Sequence, residues 1–284
     1  MKKSRLHLNT IALEPNRWSR DKTPVFDLAT LLPPIAAADF RYVELWEGHI
    51  ARLDAEQIAA AQALAEKTGL ELTIAGLYPK LHLDGDQAAQ EFARISNLMR
   101  SAKRLGSRTI KFFVGSIASA TCTTRELDSS IGFLHQLRET ANREALVLAG
   151  EFHANTLFDT IESTQKLLSL IDGLKICFQP FNFGSTEQTL ADLRTLAPEV
   201  VHFHLQGRRE GQFSTLERAD IDYAAVLSLL AETGYTGDFG IEFVKGCVVD
   251  TVDESYLRRV LDAAAVDADY FRTVAASTGL QLEG

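Results

Sequence analysis

The feature that most constrains this chain is an alternation. Eight short runs rich in β-branched and aliphatic residues fall at about 5–12, 41–46, 72–78, 109–115, 146–152, 174–180, 200–206 and 239–245. Segments of helical periodicity lie between and after them, at about 25–38, 54–68, 86–105, 124–143, 156–172, 187–197, 222–233 and 253–275. Repeated βα units build a parallel sheet, and eight of them predict a closed (β/α)8 barrel. The length of 284 residues fits one such α/β unit over residues 1–284. Val266, Tyr270, Phe271 and Val274 keep helical spacing, so a C-terminal helical tail is expected at about 266–284. Asp54 before an acidic first turn, Gly69 after Lys67 and Gly106 after Lys103 and Arg104 mark helix ends.

Strand parity then indicates where chemistry would lie, because alternate side chains face opposite ways. Strand five, Leu146-Val147-Leu148-Ala149-Gly150-Glu151-Phe152-His153, is apolar and finishes on a carboxylate and an imidazole. A carboxylate removed from water is costly unless it has a partner, so a charge at such a strand end needs one, or a task. Phe239-Gly240-Ile241-Glu242-Phe243 repeats the design, and Val200-Val201-His202-Phe203-His204-Leu205 carries histidine near its end.

One face of strands six to eight is uniformly large and apolar: Ile176 and Phe178, Phe203 and Leu205, Ile241 and Phe243. That face suits helix packing. The mixed face, with Glu151 and His153, Cys177 and Gln179, His202 and His204, and Gly240 and Glu242, is expected to line the barrel interior. By the same rule strand four adds Lys111, strand two adds Glu44 and Trp46, and strand one adds His7 and Asn9. Barrel enzymes work at the C-terminal strand ends. The longest connections, at about 13–24 and 207–221, are expected on that side, and their Arg17, Arg20, Arg208 and Arg209 suit a carboxylate or phosphate.

Composition excludes several roles. With 46% hydrophobic and 24% charged residues the chain reads as a folded soluble domain. A formal charge of −9 argues against nucleic acid as a partner. No run of about 18 apolar residues suggests a membrane span. Cys122, Cys177 and Cys247 are widely spaced and form no C-x-x-C pair, and the basic start Met1-Lys2-Lys3-Ser4-Arg5 leads into no apolar h-region, so a cytoplasmic protein is expected. A homo-oligomer would be ordinary for this architecture.

Eight βα units, with Glu151 ending strand five, His204 in an F-H-L context and Glu242 in a G-I-E-F context, resemble the xylose isomerase-like TIM barrel superfamily, nearest to its sugar isomerases and ketose 3-epimerases. The resemblance implies four metal ligands, Glu, Asp, His and Glu from strands five to eight, which fall here on Glu151, Gln179, His204 and Glu242. It implies that the two glutamates also move protons, so Glu151 and Glu242 become the catalytic candidates. It further implies a divalent ion (Mn2+, Mg2+, Co2+ or Zn2+) and a small sugar or sugar acid as substrate. Arg208, four residues past His204, matches an arginine frequent in the family. Glu44, Trp46, Lys111, His153 and Asn182 join it as candidate substrate contacts.

Strand six departs from the pattern. Gln179-Pro180-Phe181-Asn182 stands where the family has D-x-x-H, an amide pair in place of an acid and an imidazole. Gln179 keeps an oxygen donor but removes one negative charge, leaving Glu151 and Glu242 to balance a 2+ ion. Polarisation of a substrate carbonyl would acidify the adjacent C–H for removal by a carboxylate.

Other readings stay open. The two glutamates are alternatively buried carboxylates paired with Lys111, Lys175 or Lys245. A dehydratase of cyclitols or dehydroshikimate uses the same scaffold and the same proton abstraction. A sugar-binding protein without a metal would explain Gln179 and Asn182. Endonuclease IV shares the barrel, but only seven histidines and an acidic chain do not suit its three-zinc cluster.

Overall fold

Each expected βα unit forms in the computed structural model, which describes residues 3–180 and 184–283. In chain order the strands are β1 (Leu6–Asn9), β2 (Tyr42–Trp46), β3 (Glu71–Leu77), β4 (Thr109–Phe113), β5 (Val147–Glu151), β6 (Lys175–Phe178), β7 (Val200–Arg209), β8 (Gln212–Ser214) and β9 (Asp238–Phe243). The helices are α1 (Leu28–Ala37), α2 (Glu47–Ile50), α3 (Ala55–Thr68), α4 (Gly85–Leu105), α5 (Thr124–Arg143), α6 (Ile161–Leu170), α7 (Thr186–Leu196), α8 (Tyr223–Glu232) and α9 (Tyr256–Thr278). Strands β1 to β7 and β9 pair in parallel, each with its neighbours in the chain, and β9 returns to β1 to close the barrel.

Local chemistry accounts for several boundaries. Asp54 accepts from the Glu56 and Gln57 amides while the Gln57 side chain reaches back to the Asp54 N–H, a capping box that starts α3. Gly69 and Gly106 end α3 and α4 in the left-handed conformation. The outward strand faces pack on the helices as expected. Phe178, Phe203, Phe239 and Phe271 form a continuous aromatic series from β6 to α9, with ring centroids 5.4, 6.0 and 4.8 Å apart.

Three elements differ from the sequence expectation. Strand one stops at Asn9, because its side chain accepts from the Ile11 N–H and turns residues 10–13 into a 3-10 helix. The sixth helix begins at Ile161 rather than near residue 156. Asn155 is left-handed and Thr156 ties His153 to Phe158 through its hydroxyl, so Thr160 is the cap. Strand seven runs on to Arg209 and folds back as β8 through Glu210-Gly211, both at positive φ, which is the turn that matches the twist of a two-residue hairpin. The C-terminal stretch continues α9 to Thr278, and Ser4 then pairs with Leu282. No helix among the described residues is long and apolar enough to cross a membrane.

Candidate active site

At the C-terminal end of the barrel, β5, β7 and β9 bring Glu151, His204 and Glu242 together. His204 Nδ1 lies 3.5 Å from Glu151 Oε1 and 3.5 Å from Glu242 Oε2. All three residues are buried, and Glu151 Oε1 and His204 Nδ1 have no hydrogen-bond partner among the described residues. Buried polar atoms without partners are uncommon in folded proteins.

The orientation of His204 comes from below. Its Nε2 sits 3.1 Å from both oxygens of Glu44, and His202 Nε2 reaches the same carboxylate at 2.7 Å. Glu44 therefore takes an N–H from each imidazole, and the proton on His204 Nε2 leaves Nδ1 to offer a lone pair when the ring is neutral. Burial alone would raise Glu44, but His204 and His202 outweigh it and hold its carboxyl well below the usual range. Gly240 makes room for this layer: a Cβ there would come within 2.9 Å of Glu44 Oε2 and 3.0 Å of the His202 ring. Cys177 lies beside the histidines, and burial pushes its thiol up to about 12.

Lys111 on β4 donates to Glu151 Oε2 at 2.6 Å, with both groups fully buried. Burial opposes ionisation of Glu151, yet Lys111 and His204 outweigh it and bring the carboxyl to about 2. Lys111 is likewise held charged against its burial, by Glu151 and then Tyr78. His204 too is raised well above the ordinary imidazole value despite burial, through Cys177, Glu44, Glu242 and Glu151. The imidazole is thus a proton carrier until something positive takes the proton's place.

Toward solvent, Gln206 follows His204 on the same strand face and bridges the outer residues. Its amide donates to Gln179 Oε1 at 3.1 Å and to Glu242 Oε2 at 3.0 Å, and its own oxygen accepts from Arg208 Nε at 3.3 Å. Gln206 was not among the sequence candidates: it follows the alternation of His202 and His204, but an amide at that position carries no chemical signal by itself. Above this layer is a cavity of about 240 Å³ lined by Arg17, Trp46, Tyr78, Phe113, His153, Gln179, Gln206, Arg208 and Glu242, with the exposed Trp18 and Lys22 at its rim. His153 donates from Nδ1 to the Ala154 carbonyl at 2.7 Å, which leaves Nε2 as the acceptor nitrogen of the neutral ring.

Of the candidate residues, the structure gathers Glu151, His204 and Glu242 as one trio and sets Gln179, Trp46, His153 and Arg208 on the cavity wall. Glu44 and Lys111 are buried beneath it, engaged by the two histidines and by Glu151. Asn182 lies outside the described residues. Among the described residues, the pairing of Glu151 with a lysine is realised at Lys111, while Lys175 pairs with Glu199.

The trio fits a divalent ion. One donor oxygen or nitrogen from each of Glu151, His204 and Glu242 lies within 4.8 Å of the others, two carboxylates and an imidazole make a hard-to-borderline donor set, and two of the three atoms are otherwise orphaned.

The sequence profile of a family described as a xylose isomerase-like TIM barrel matches residues 32–265. A Bacillus anthracis protein named 3-dehydroshikimate dehydratase is 24% identical over 198 residues, covering 66% of this chain and 68% of that one. The structure of D-psicose 3-epimerase with D-tagatose from Clostridium cellulolyticum H10 superposes with a TM-score of 0.74 at 18% identity, over 97% of this chain and 99% of that one. The IOLI protein with a binding zinc atom superposes with a TM-score of 0.72 at 15% identity, over 98% and 99%.

Proposed function

Because this chain belongs to the xylose isomerase-like TIM barrel family, we propose that it is an enzyme that moves a proton beside a carbonyl, an isomerase or epimerase of a small sugar or sugar acid that works with a divalent ion. The observation that carries this reading is the convergence of Glu151, His204 and Glu242 under a cavity, with the Glu151 and His204 atoms that face each other left without hydrogen bonds. Those three would hold the ion, and the Gln179 amide oxygen is the fourth candidate. A divalent ion bound there would draw electron density from a substrate carbonyl and acidify the neighbouring C–H. The zinc in IOLI and the D-tagatose in the epimerase structure support this direction for the family.

The chain's own groups divide the remaining work unequally. Glu242 lines the cavity, with Oε2 held by Gln206 and Oε1 without a hydrogen bond among the described residues, so it is assigned as the proton acceptor. Glu151 has Oε2 tied to Lys111 and Oε1 turned toward His204, so its role is to stay ionised beside the ion. His153, with Nε2 as its acceptor nitrogen, stands on the cavity wall as the group able to carry a proton on another side of the substrate. Trp46, Tyr78 and Phe113 exclude water from that space.

The same inequality favours a second reading, a lyase. Removal of a proton followed by loss of water needs one strong acceptor at the reacting carbon, and Glu242 alone among the two glutamates lines the cavity. The relative named as a dehydratase lies in this direction. Incubation of the Mn2+-supplied protein with ketoses and keto acids in D2O separates the outcomes. Deuterium entering beside the carbonyl in an epimerised or isomerised product supports the first reading, and a product lacking the elements of water supports the second. Glu242→Gln is expected to lower exchange by about 100-fold or more, the ordinary worth of a positioned general base. Exchange undiminished in Glu242→Gln refutes the assignment of the acceptor.

A further inference from the structure

The lining of the cavity has a charge opposite to that of the chain. The protein carries −9 overall. The cavity wall nevertheless presents Arg17, Lys22 and Arg208 against the single carboxylate of Glu242. Two of these cations have visible structural work. The Arg17 guanidinium donates through its Nη atoms to the carbonyls of Glu14 and Cys247, although its buried Nε has no partner among the described residues. Arg208 donates to Gln206 and lies 4.4 Å above the Phe213 ring. Lys22 differs: among the described residues its ammonium makes no hydrogen bond or ion pair, and it sits 4.6 Å from the Tyr78 ring centroid.

The backbone holds Lys22 there at some cost. Its φ is +47°, a conformation that a lysine rarely adopts and that costs on the order of 1 kcal/mol. The surrounding loop is built to keep it. The Glu14 carboxylate accepts from the Asn16, Val25 and Phe26 amides at 3.4, 2.8 and 3.3 Å, and it faces His49. Asp21 accepts from the Ser19 and Thr23 hydroxyls, and Arg52 donates to Thr23 at 2.7 Å. A strained residue fixed by its neighbours at the rim of a cavity motivates a functional reading.

We propose that the substrate carries a carboxylate and that Lys22, set over the cavity by this loop, is the residue that selects it. The proposal rests on the proton-transfer reading of the same cavity. The carboxylate is remote from the reacting carbon. It anchors one end of the substrate at Lys22, with the guanidinium of Arg208 on the same wall, while the other end reaches Glu242. Binding energy gained at such a remote group can be used to orient the reacting centre.

The test is calorimetric binding to the Mn2+-supplied protein of matched pairs that differ only at C6, D-tagatose against D-tagaturonate and D-fructose against D-fructuronate. At least one acid is expected to bind about tenfold or more tighter than its neutral partner, the worth of one charge-assisted hydrogen bond. Lys22→Gln should remove that preference with little effect on the neutral sugar, and Lys22→Arg should restore most of it. Equal binding of acid and neutral sugar, an acid preference unchanged in Lys22→Gln, or failure of every acid to bind overturns the proposal. Deuterium exchange on the same samples keeps the two ideas apart. A bound acid that undergoes no exchange refutes the proton-transfer reading alone, and exchange on a neutral ketose without acid preference refutes the carboxylate alone.

Discussion

Replacing Lys111 with methionine isolates the most consequential pair in the barrel. Methionine keeps most of the aliphatic volume between the Tyr78 and Phe113 rings, which lie 5.3 and 5.4 Å from the ammonium, but removes the ammonium that donates a hydrogen bond to the Glu151 carboxylate. Glu151 stands at about 2 instead of 4.5, so at roughly 1.36 kcal/mol per unit its ionised environment is worth about 3 kcal/mol. Breaking a buried pair by deleting one partner costs about 3–5 kcal/mol, which agrees. The sign follows from linkage. A carboxyl lowered on folding stabilises the protein above its unfolded value near 4.5, and that stabilisation is lost as pH falls from there to about 2. Urea unfolding at pH 7.5 should therefore show Lys111→Met destabilised by about 3 kcal/mol without metal, with less difference from the parent near pH 3. Saturating Mn2+ should shrink the deficit, because an ion beside Glu151 supplies the missing positive charge. A loss under about 1 kcal/mol at pH 7.5, or a deficit that Mn2+ leaves unchanged, would refute the claim that Glu151 is ionised, dry and next to a cation site.

Two other perturbations test neighbouring parts of the account. Asp267 on α9 accepts from the Leu216 amide at 2.8 Å, its second oxygen is buried without a partner, and burial raises it from 3.8 to about 7. A carboxyl raised on folding is costless below about 3.8 and increasingly destabilising as pH climbs to 7. Asp267→Asn, which keeps the acceptor, should raise Tm at pH 8 and leave it unchanged near pH 3.5; equal values at pH 8 would count against the burial argument. Gln179→Asp supplies a negative ligand just past β6 and should tighten Mn2+ binding by about tenfold or more, since site charge sets affinity. Unchanged affinity would place residue 179 outside the ion's reach.

Much of this arrangement is legible in the sequence. The two-residue period of a strand is a local property, so it correctly turned Glu151, His204 and Glu242 inward, and the eightfold alternation placed them on one end of one barrel. Which inward groups touch was not legible, because it depends on the register between strands far apart in the chain. Glu44 was a candidate substrate contact by parity, and the register lays it under His202 and His204, 158 and 160 residues away. The sequence offers Lys111, Lys175 and Lys245 alike as partners of Glu151 and gives no means to prefer one. Gln206 shared the inward face of β7, yet an amide signals nothing until Gln179 and Glu242 are seen within its reach. The hairpin after β7 and the late start of α6 are not legible for a different reason. Both depend on residues in left-handed conformations, Glu210 and Gly211 in the hairpin and Asn155 before α6, which helical or strand periodicity does not report.

The departure on β6 also has a physical reading in this arrangement. With Gln179 neutral and Lys111 cancelling Glu151, the carboxylates of Glu44 and Glu242 are left to balance a proton on His204. Mn2+ and that proton therefore compete for the same nitrogen. Affinity for the ion should rise with pH as long as the imidazole is held charged, which is the direction its neighbours impose.

The most direct test of the central claim is calorimetric titration of Mn2+ into chelator-stripped protein, beside folded Glu151→Gln and Glu242→Gln variants. The account predicts one ion per chain, binding that strengthens with pH, and loss of that binding in both variants. Absence of binding by the parent protein, or binding that survives both substitutions, would contradict a metal centre at the ends of β5, β7 and β9.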